Sequence, residues 1–330
     1  MLLEGSENDS AQGSESDLGQ GALVPAAITD TGCERELNED RYAVIESPSG
    51  TAWIVCDGMG GQTGGELAAQ LALDAIHRDL ENLPGRVPEV ALKSAIFEAN
   101  RIIVLRRQNQ AFASMGTTIV AALFSGPEFV VGHVGDSRAY LVREGAIQQL
   151  TTDHTYVQQL VDAGQIKPEE ALSHPQAHIL TRCIGAEPGL EVALSKYWLW
   201  NESEQGPGDT LLLCSDGLYS LIGENEIASM VEQLPPQRAC VKLVELAKQR
   251  GGFDNITLVI VPLPGQVRKE PPPGYTPRMP STAARHGGNI SRSRDGVGPS
   301  WARIIGILMV LSVLAALGTF FTFVFMIQNG

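Results

Sequence analysis

Apolar residues in this chain recur with two different periods, and the places where one gives way to the other mark out its elements. Five short runs are apolar almost throughout: 52–56 (AWIVC), 118–123 (TIVAAL), 129–134 (FVVGHV), 210–214 (TLLLC) and 256–261 (ITLVIV). Gly, Asp and Asn bound them, which predicts strands. From Glu66 to about Asn82, Glu89 to Gln108 and Arg238 to Gln249, apolar residues fall at helical spacing with no proline inside. Many short strands and a few long helices in one continuous span predict packed sheets covered by helices.

Outside that span the pattern fails in two ways. Residues 1–20 are rich in Ser, Glu, Asp, Gly and Gln and hold no Lys, Arg or aromatic residue, so a disordered acidic tail is expected there. No basic or apolar leader precedes it, and no signal peptide is expected. The main domain is expected over 21–263. Residues 264–303 are rich in Pro, Gly, Ser and Arg without a periodic apolar pattern, which reads as a linker. Residues 304–327 carry no charge. As a helix they would measure about 36 Å, enough to cross a hydrocarbon layer of about 30 Å. A C-terminal transmembrane helix is therefore expected, and the arginines before it place the large domain in the cytoplasm by the positive-inside rule. The protein is read as a membrane protein with a single-pass C-terminal anchor.

Formal net charge is −14, but 264–303 is net +5, so the remainder carries −19. A main domain of that sign argues against nucleic-acid binding and suits clustered carboxylates. Five cysteines, odd in number and without a Cys-x-x-Cys pair, point to a reducing compartment. Cys56 and Cys214 lie inside apolar runs and are expected to pack as small hydrophobes.

Candidate chemistry gathers where the apolar runs end. Asn38-Glu39-Asp40, Asp57-Gly58-Met59-Gly60-Gly61, Ser215-Asp216-Gly217 and Asp254-Asn255 each place acids at a turn. Hard cations such as Mg²⁺ and Mn²⁺ take oxygen ligands, so carboxylates plus a glycine carbonyl make a suitable cradle for metal-assisted phosphate-ester hydrolysis. Singly, each Asp-Gly is an ordinary turn. Other phosphate chemistries lack their residues: the glycines at 58–65 have no Gly-Lys-Ser/Thr ending, Cys33 has no arginine at phosphatase-loop spacing, and no zinc motif is present.

Seven motifs occur in order: Arg35 to Asp40, Asp57 to Gly61, Met115-Gly116-Thr117-Thr118, Gly135-Asp136-Ser137-Arg138, Leu150 to Thr155, Ser215 to Leu218, and Asp254 to Thr257. This series resembles the metal-dependent protein Ser/Thr phosphatases of the protein phosphatase 2C type, in their compact bacterial form, over about residues 23–263. The resemblance implies an α+β fold, a four-layer α-β-β-α sandwich of two mainly antiparallel sheets flanked by helices. It also implies two Mn²⁺ or Mg²⁺ ions: Asp57 bridging both, the Gly58 carbonyl, Asp216 and Asp254 completing the set, and Glu39 and Asp40 holding the second ion largely through waters. Arg35 would bind the phosphate and, with Asp57, be catalytic. Phosphorylated Ser/Thr proteins would be the substrates, opposing a cytosolic Ser/Thr kinase.

Several positions depart from the family's pattern. Met59 stands where some members carry a histidine that serves as proton donor. Asp136 matches a residue that helps hold a weak third ion, but Ser220 replaces its usual acidic partner, so a tight third ion is not expected; Asp136 stays open between ligand and turn carboxylate. Residues 156–181, with His174-Pro175, match a mobile flap, or else a plain helical insertion. His154 and His174 are read as ordering local backbone rather than as bases. A non-catalytic sensor and a hydrolase of small phosphorylated metabolites remain the alternative functions.

Overall fold

The computed structural model describes residues 24–61, 64–82, 85–200, 208–272 and 274–275. Two sheets carry the fold, and every strand pairing in them is antiparallel. The first runs β1 (Ala26–Asp30), β11 (Ile256–Pro262), β10 (Thr210–Cys214), β7 (Arg138–Arg143), β8 (Ala146–Gln149). The second runs β12 (Gln266–Arg268), β9 (Ala193–Trp200), β6 (Glu128–Val134), β5 (Ile119–Ser125), β3 (Gly50–Met59), β2 (Asp40–Ser47). A short β4 (Gly116–Thr117) pairs with the far end of β3.

Alternation along the strands sorts their side chains into three cores. On β5, Ile119, Ala121 and Leu123 face α1 (Gly64–Asn82) and α2 (Pro88–Arg106), while Val120 and Ala122 face the other sheet. On β11, Ile256, Leu258 and Ile260 join a core with α5 (Asp216–Tyr219), α6 (Glu224–Gln233) and α7 (Pro236–Gln249), while Val259 and Val261 enter the inter-sheet layer. Inner strands buried on both faces read as unbroken apolar runs, which is why these were the strands visible in the sequence. Each fully buried Leu or Ile contributes about 1.5–3 kcal/mol. The layers are thus helix, sheet, sheet, helix, as expected.

The long helices start slightly ahead of their apolar periods. Pro88 and Pro236 each sit in a first turn, where a missing N–H costs nothing, so α2 and α7 begin there. The strands β1, β2, β7, β8 and β9 and the helix α6 were not singled out from the pattern.

The expected domain boundary at 263 is corrected. Chain beyond it returns to the second sheet: Gln266–Arg268 pairs with Trp198–Trp200, and Val267 is buried. The Val267 amide donates to Asp209 Oδ2 at 2.6 Å, Arg143 pairs with the same carboxylate, and Tyr275 Oη lies 2.5 Å from Glu128 Oε2. The stretch 264–275 therefore starts as sheet edge and strap rather than linker. The expected acidic tail at 1–20, most of the linker and the helix at 304–327 lie outside the described residues.

Segment 156–181 holds α3 (Tyr156–Asp162) and α4 (Pro168–Ala171). Thr155 caps α3 by accepting from the Gln158 amide at 3.2 Å. The two ends of the segment meet in an antiparallel bridge between Thr155 and Leu180, so its helices stand on a closed neck.

Candidate active site

The acidic residues picked out of the sequence do lie at element ends, and on both sheets. Asp40 opens β2 and faces Asp57 across the β2–β3 ladder near the end of β3. Asp216 opens α5 just past β10, Asp254 lies two residues before β11, and Asp136 lies two residues before β7. They converge on one end of the seam between the sheets. Asp57 feels the charges of Asp40, Asp216, Asp136 and Asp254.

Hydrogen bonds fix this arrangement. Ser215 Oγ donates to Asp40 Oδ2 at 2.6 Å, joining the two sheets beneath the cluster. The Asp57 amide donates to Thr118 Oγ1 at 3.1 Å, and Thr118 Oγ1 lies 2.6 Å from Ser137 Oγ. Asn255 Oδ1 accepts from the Glu39 amide at 2.8 Å, while its side-chain nitrogen donates to the carbonyls of Thr31 and Leu37. The loop carrying Arg35 and Glu39 is thereby tied to the start of β11. Glu39 Oε1 accepts from the Gly65 amide at 3.2 Å, at the start of α1. Arg35 is exposed and donates from Nη2 to Asp254 Oδ2 at 2.8 Å.

Electrostatics mark the cluster as unfavourable unless cations compensate it. Burial, then neighbouring carboxylates, raise the Asp40 pKa to about 7 against the pull of its Ser215 and Thr257 hydrogen bonds. The same causes in the same order push Asp57 well up and Asp216 to about 6, the latter held down in part by Arg35. Asp136 rises through burial and then Asp216. Asp57 and Asp216 nonetheless keep a partly open side to solvent, so the cluster is reachable.

Three observations test whether divalent cations fit. Asp216 Oδ1 is buried without a hydrogen-bond partner. A β-carbon on Gly58 would strike the Gly65 and Glu39 carbonyls, so backbone crowds here as side chains could not. The donors are all oxygen, the set preferred by Mn²⁺ and Mg²⁺. Among the described residues no three His, Cys, Asp or Glu side chains enclose one point. The residues fit the group.

Asp136 joins the cluster, whereas Ser220 is an exposed C-cap residue and adds no charge. His174 Nδ1 accepts from the Gln176 amide at 3.1 Å, within the 156–181 insertion. His154 Nδ1 accepts from the Gly135 amide, a backbone-ordering role as expected. Cys56 and Cys214 are fully buried, and burial pushes both thiols up. Sequence reasoning missed Ser215, Asn255, Thr118 and Ser137 as holders of the carboxylates. It also missed that Arg138 and Asp153, each in a quoted motif, form one half-buried ion pair at 2.6 Å, with the Arg138 guanidinium against the Tyr219 ring. Their adjacency to the acidic motifs was the available signal. A cavity of about 550 Å³ beside α2, lined by Phe97, Leu105 and Pro188 among others, holds none of the carboxylates.

Fold and site together define an α+β two-sheet protein whose seam gathers oxygen donors for hard divalent cations. The chain belongs to the protein phosphatase 2C family, whose model matches residues 34–247. It is 37% identical over 240 residues to the serine/threonine protein phosphatase PstP of Mycobacterium tuberculosis, covering 71% of this chain and 44% of that protein's length. Against the serine/threonine phosphatase stp of Listeria monocytogenes it is 36% identical over 241 residues, covering 71% of this chain and 93% of the relative. The crystal structure of the PstP catalytic domain in complex with two manganese ions superposes with a TM-score of 0.61 at 35% identity, covering 72% of this chain and 96% of that one.

Proposed function

We propose that this protein hydrolyses phosphoserine and phosphothreonine esters in proteins with the help of two Mn²⁺ or Mg²⁺ ions. The observation that carries the reading is the seam-end cluster, in which Asp40, Asp57, Asp136 and Asp216 are crowded into mutual repulsion around a partnerless Asp216 oxygen. Asp57, the Gly58 carbonyl, Asp216 and Asp254 would hold the ions, with Glu39 and Asp40 supporting the second; Asp136 is the candidate for a weak third. Bound there, such ions would acidify a water to a nucleophile and offset the negative charge on the phosphoryl oxygens. Manganese in the related catalytic domain supports that assignment.

The chain's own residues supply the rest. Arg35 stands at the open edge with its guanidinium beside Asp254, placed to take two phosphate oxygens and orient the ester. Thr118 and Ser137 hold Asp57, and Ser215 holds Asp40, so the carboxylates are set before substrate arrives. Met59 follows the Asp57-Gly58 pair and offers no proton donor there, so a water would have to supply the proton for the leaving alcohol. Names of the relatives support protein substrates.

We also propose that residues 304–327 anchor the protein in the membrane with the main domain in the cytoplasm, where a Ser/Thr kinase supplies its substrates. The uncharged run and the arginines before it support this.

The test of the activity is hydrolysis of a phosphothreonine peptide by the full chain, with and without Mn²⁺, beside Asp57→Asn of confirmed fold. Manganese-dependent turnover that falls by about 10³-fold or more in the variant is expected, since an ion-bridging carboxylate carries several kcal/mol of transition-state stabilisation. Absence of turnover in folded, manganese-loaded wild type favours a non-catalytic sensor. A higher kcat/KM for small phosphorylated metabolites than for phosphopeptides rules out protein substrates.

A further inference from the structure

The insertion at 156–181 has its neck fastened to the Gly135-Asp136 turn through His154, by that residue's backbone amide and by its ring. Its neck is antiparallel: the Tyr156 amide donates to the Ile179 carbonyl at 2.8 Å, and the Thr181 amide to the His154 carbonyl at 2.8 Å. His154, at the root of this neck, grips Gly135 twice. Its amide donates to the Gly135 carbonyl at 2.9 Å, and its Nδ1 accepts from the Gly135 amide at 3.1 Å. Gly135 precedes Asp136 and has φ +106, and a β-carbon there would strike the Thr118 side chain, whose hydroxyl accepts from the Asp57 amide. The Gly135 turn is thus wedged between the neck on one side and the support of Asp57 on the other.

The His154 ring is itself held. It stacks on His133 with centroids 4.6 Å apart, and His133 Nε2 lies 2.8 Å from the Thr152 carbonyl. With Nδ1 accepting, the neutral ring carries its proton on Nε2, so Arg182 Nη1 at 3.4 Å is a neighbouring charge rather than a donor. Burial, His133 and Arg182 all oppose protonation of His154 and hold its pKa down to about 4, so Nδ1 stays an acceptor at neutral pH.

We propose that His154 is a positioning residue that couples the 156–181 insertion to the Gly135-Asp136 turn, so that the seating of the insertion sets the placement of Asp136 and Asp57. Of the two bonds to Gly135, the one to Nδ1 belongs to the side chain and is the part of the coupling a substitution removes, while the stack on His133 orients the ring. This rests on the phosphatase reading for its kinetic consequence and on geometry alone for its structural one.

The experiment compares His154→Phe, which keeps a ring against His133 but has no acceptor, with His154→Asn, whose amide oxygen replaces Nδ1 without the stack. In the full chain, amide exchange of segment 133–137 should quicken about tenfold in His154→Phe and stay within about twofold of wild type in His154→Asn. With Mn²⁺ present, kcat on a phosphothreonine peptide should drop roughly tenfold in His154→Phe with KM for p-nitrophenyl phosphate unchanged, and His154→Asn should restore it. Unchanged exchange in His154→Phe, or His154→Asn as damaged as His154→Phe, overturns the proposal. If His154→Phe does not fold, His154→Asn decides alone: it must keep both the protection and the turnover. If wild type has no turnover, the phosphatase reading fails while the exchange comparison still tests the coupling.

Discussion

Gly58 sits where a side chain cannot. Any β-carbon there meets the Gly65 and Glu39 carbonyls, both backbone and both fixed by neighbouring turns. Gly58→Ala must therefore displace the start of α1 or the Glu39 loop, and a loss of about 1–3 kcal/mol in urea unfolding is expected, with weaker manganese binding by calorimetry. Asp40 carries a different signature. Its folded pKa, raised to about 7, lies above that of an unfolded aspartate, so in the metal-free protein the folded state binds the extra proton between about pH 4 and 7. Its contribution is favourable below that window and is lost as pH rises through it. In chelator, wild type should lose stability relative to Asp40→Asn as pH goes from 5 to 8, read from denaturation midpoints; parallel curves would refute the assignment. The acids themselves were legible because Asp-Gly and Asp-Asn end apolar runs. Ser215 and Asn255 were not, since one hydroxyl or amide in a turn has no signal until the fold says what it touches.

Among the elements, legibility followed burial except at β7, which is buried on both faces but begins and ends in arginine and so shows no long apolar block. Strands β3, β5, β6, β10 and β11 are covered on both faces and appear in the sequence as apolar blocks. The edge strands β1, β2, β8 and β12 mix polar and apolar residues because one side or end meets solvent, and β9 reads the same way beside the short β12. β12 was the hardest to see, being three residues within a stretch rich in Pro and Gly. It nevertheless buries Val267 and gives the buried Asp209 carboxylate a backbone donor besides Arg143. A chain ended at 263 should unfold at lower urea than one ended at 275, by about 2 kcal/mol or more from the lost Val burial and the unmatched Asp209. Equal midpoints would show that the strap adds nothing.

At the scale of the molecule, the proposed anchor makes a separable claim: removing 304–330 should move the protein from the membrane to the soluble fraction without altering turnover per mole. Persistent membrane association would reject it. The site itself spans both sheets, with Asp40 and Asp57 from one and Asp136, Asp216 and Asp254 from the other. Cations that draw those acids together also draw the sheets together, because ligands that bind only the folded state stabilise it by mass action. Manganese should raise the melting temperature of the whole domain, even in a variant lacking Arg35. The seam then acts as a hasp closed by an ion: scarcity of metal would loosen the entire sandwich, and with it the protein's resistance to proteases, before any substrate is at stake.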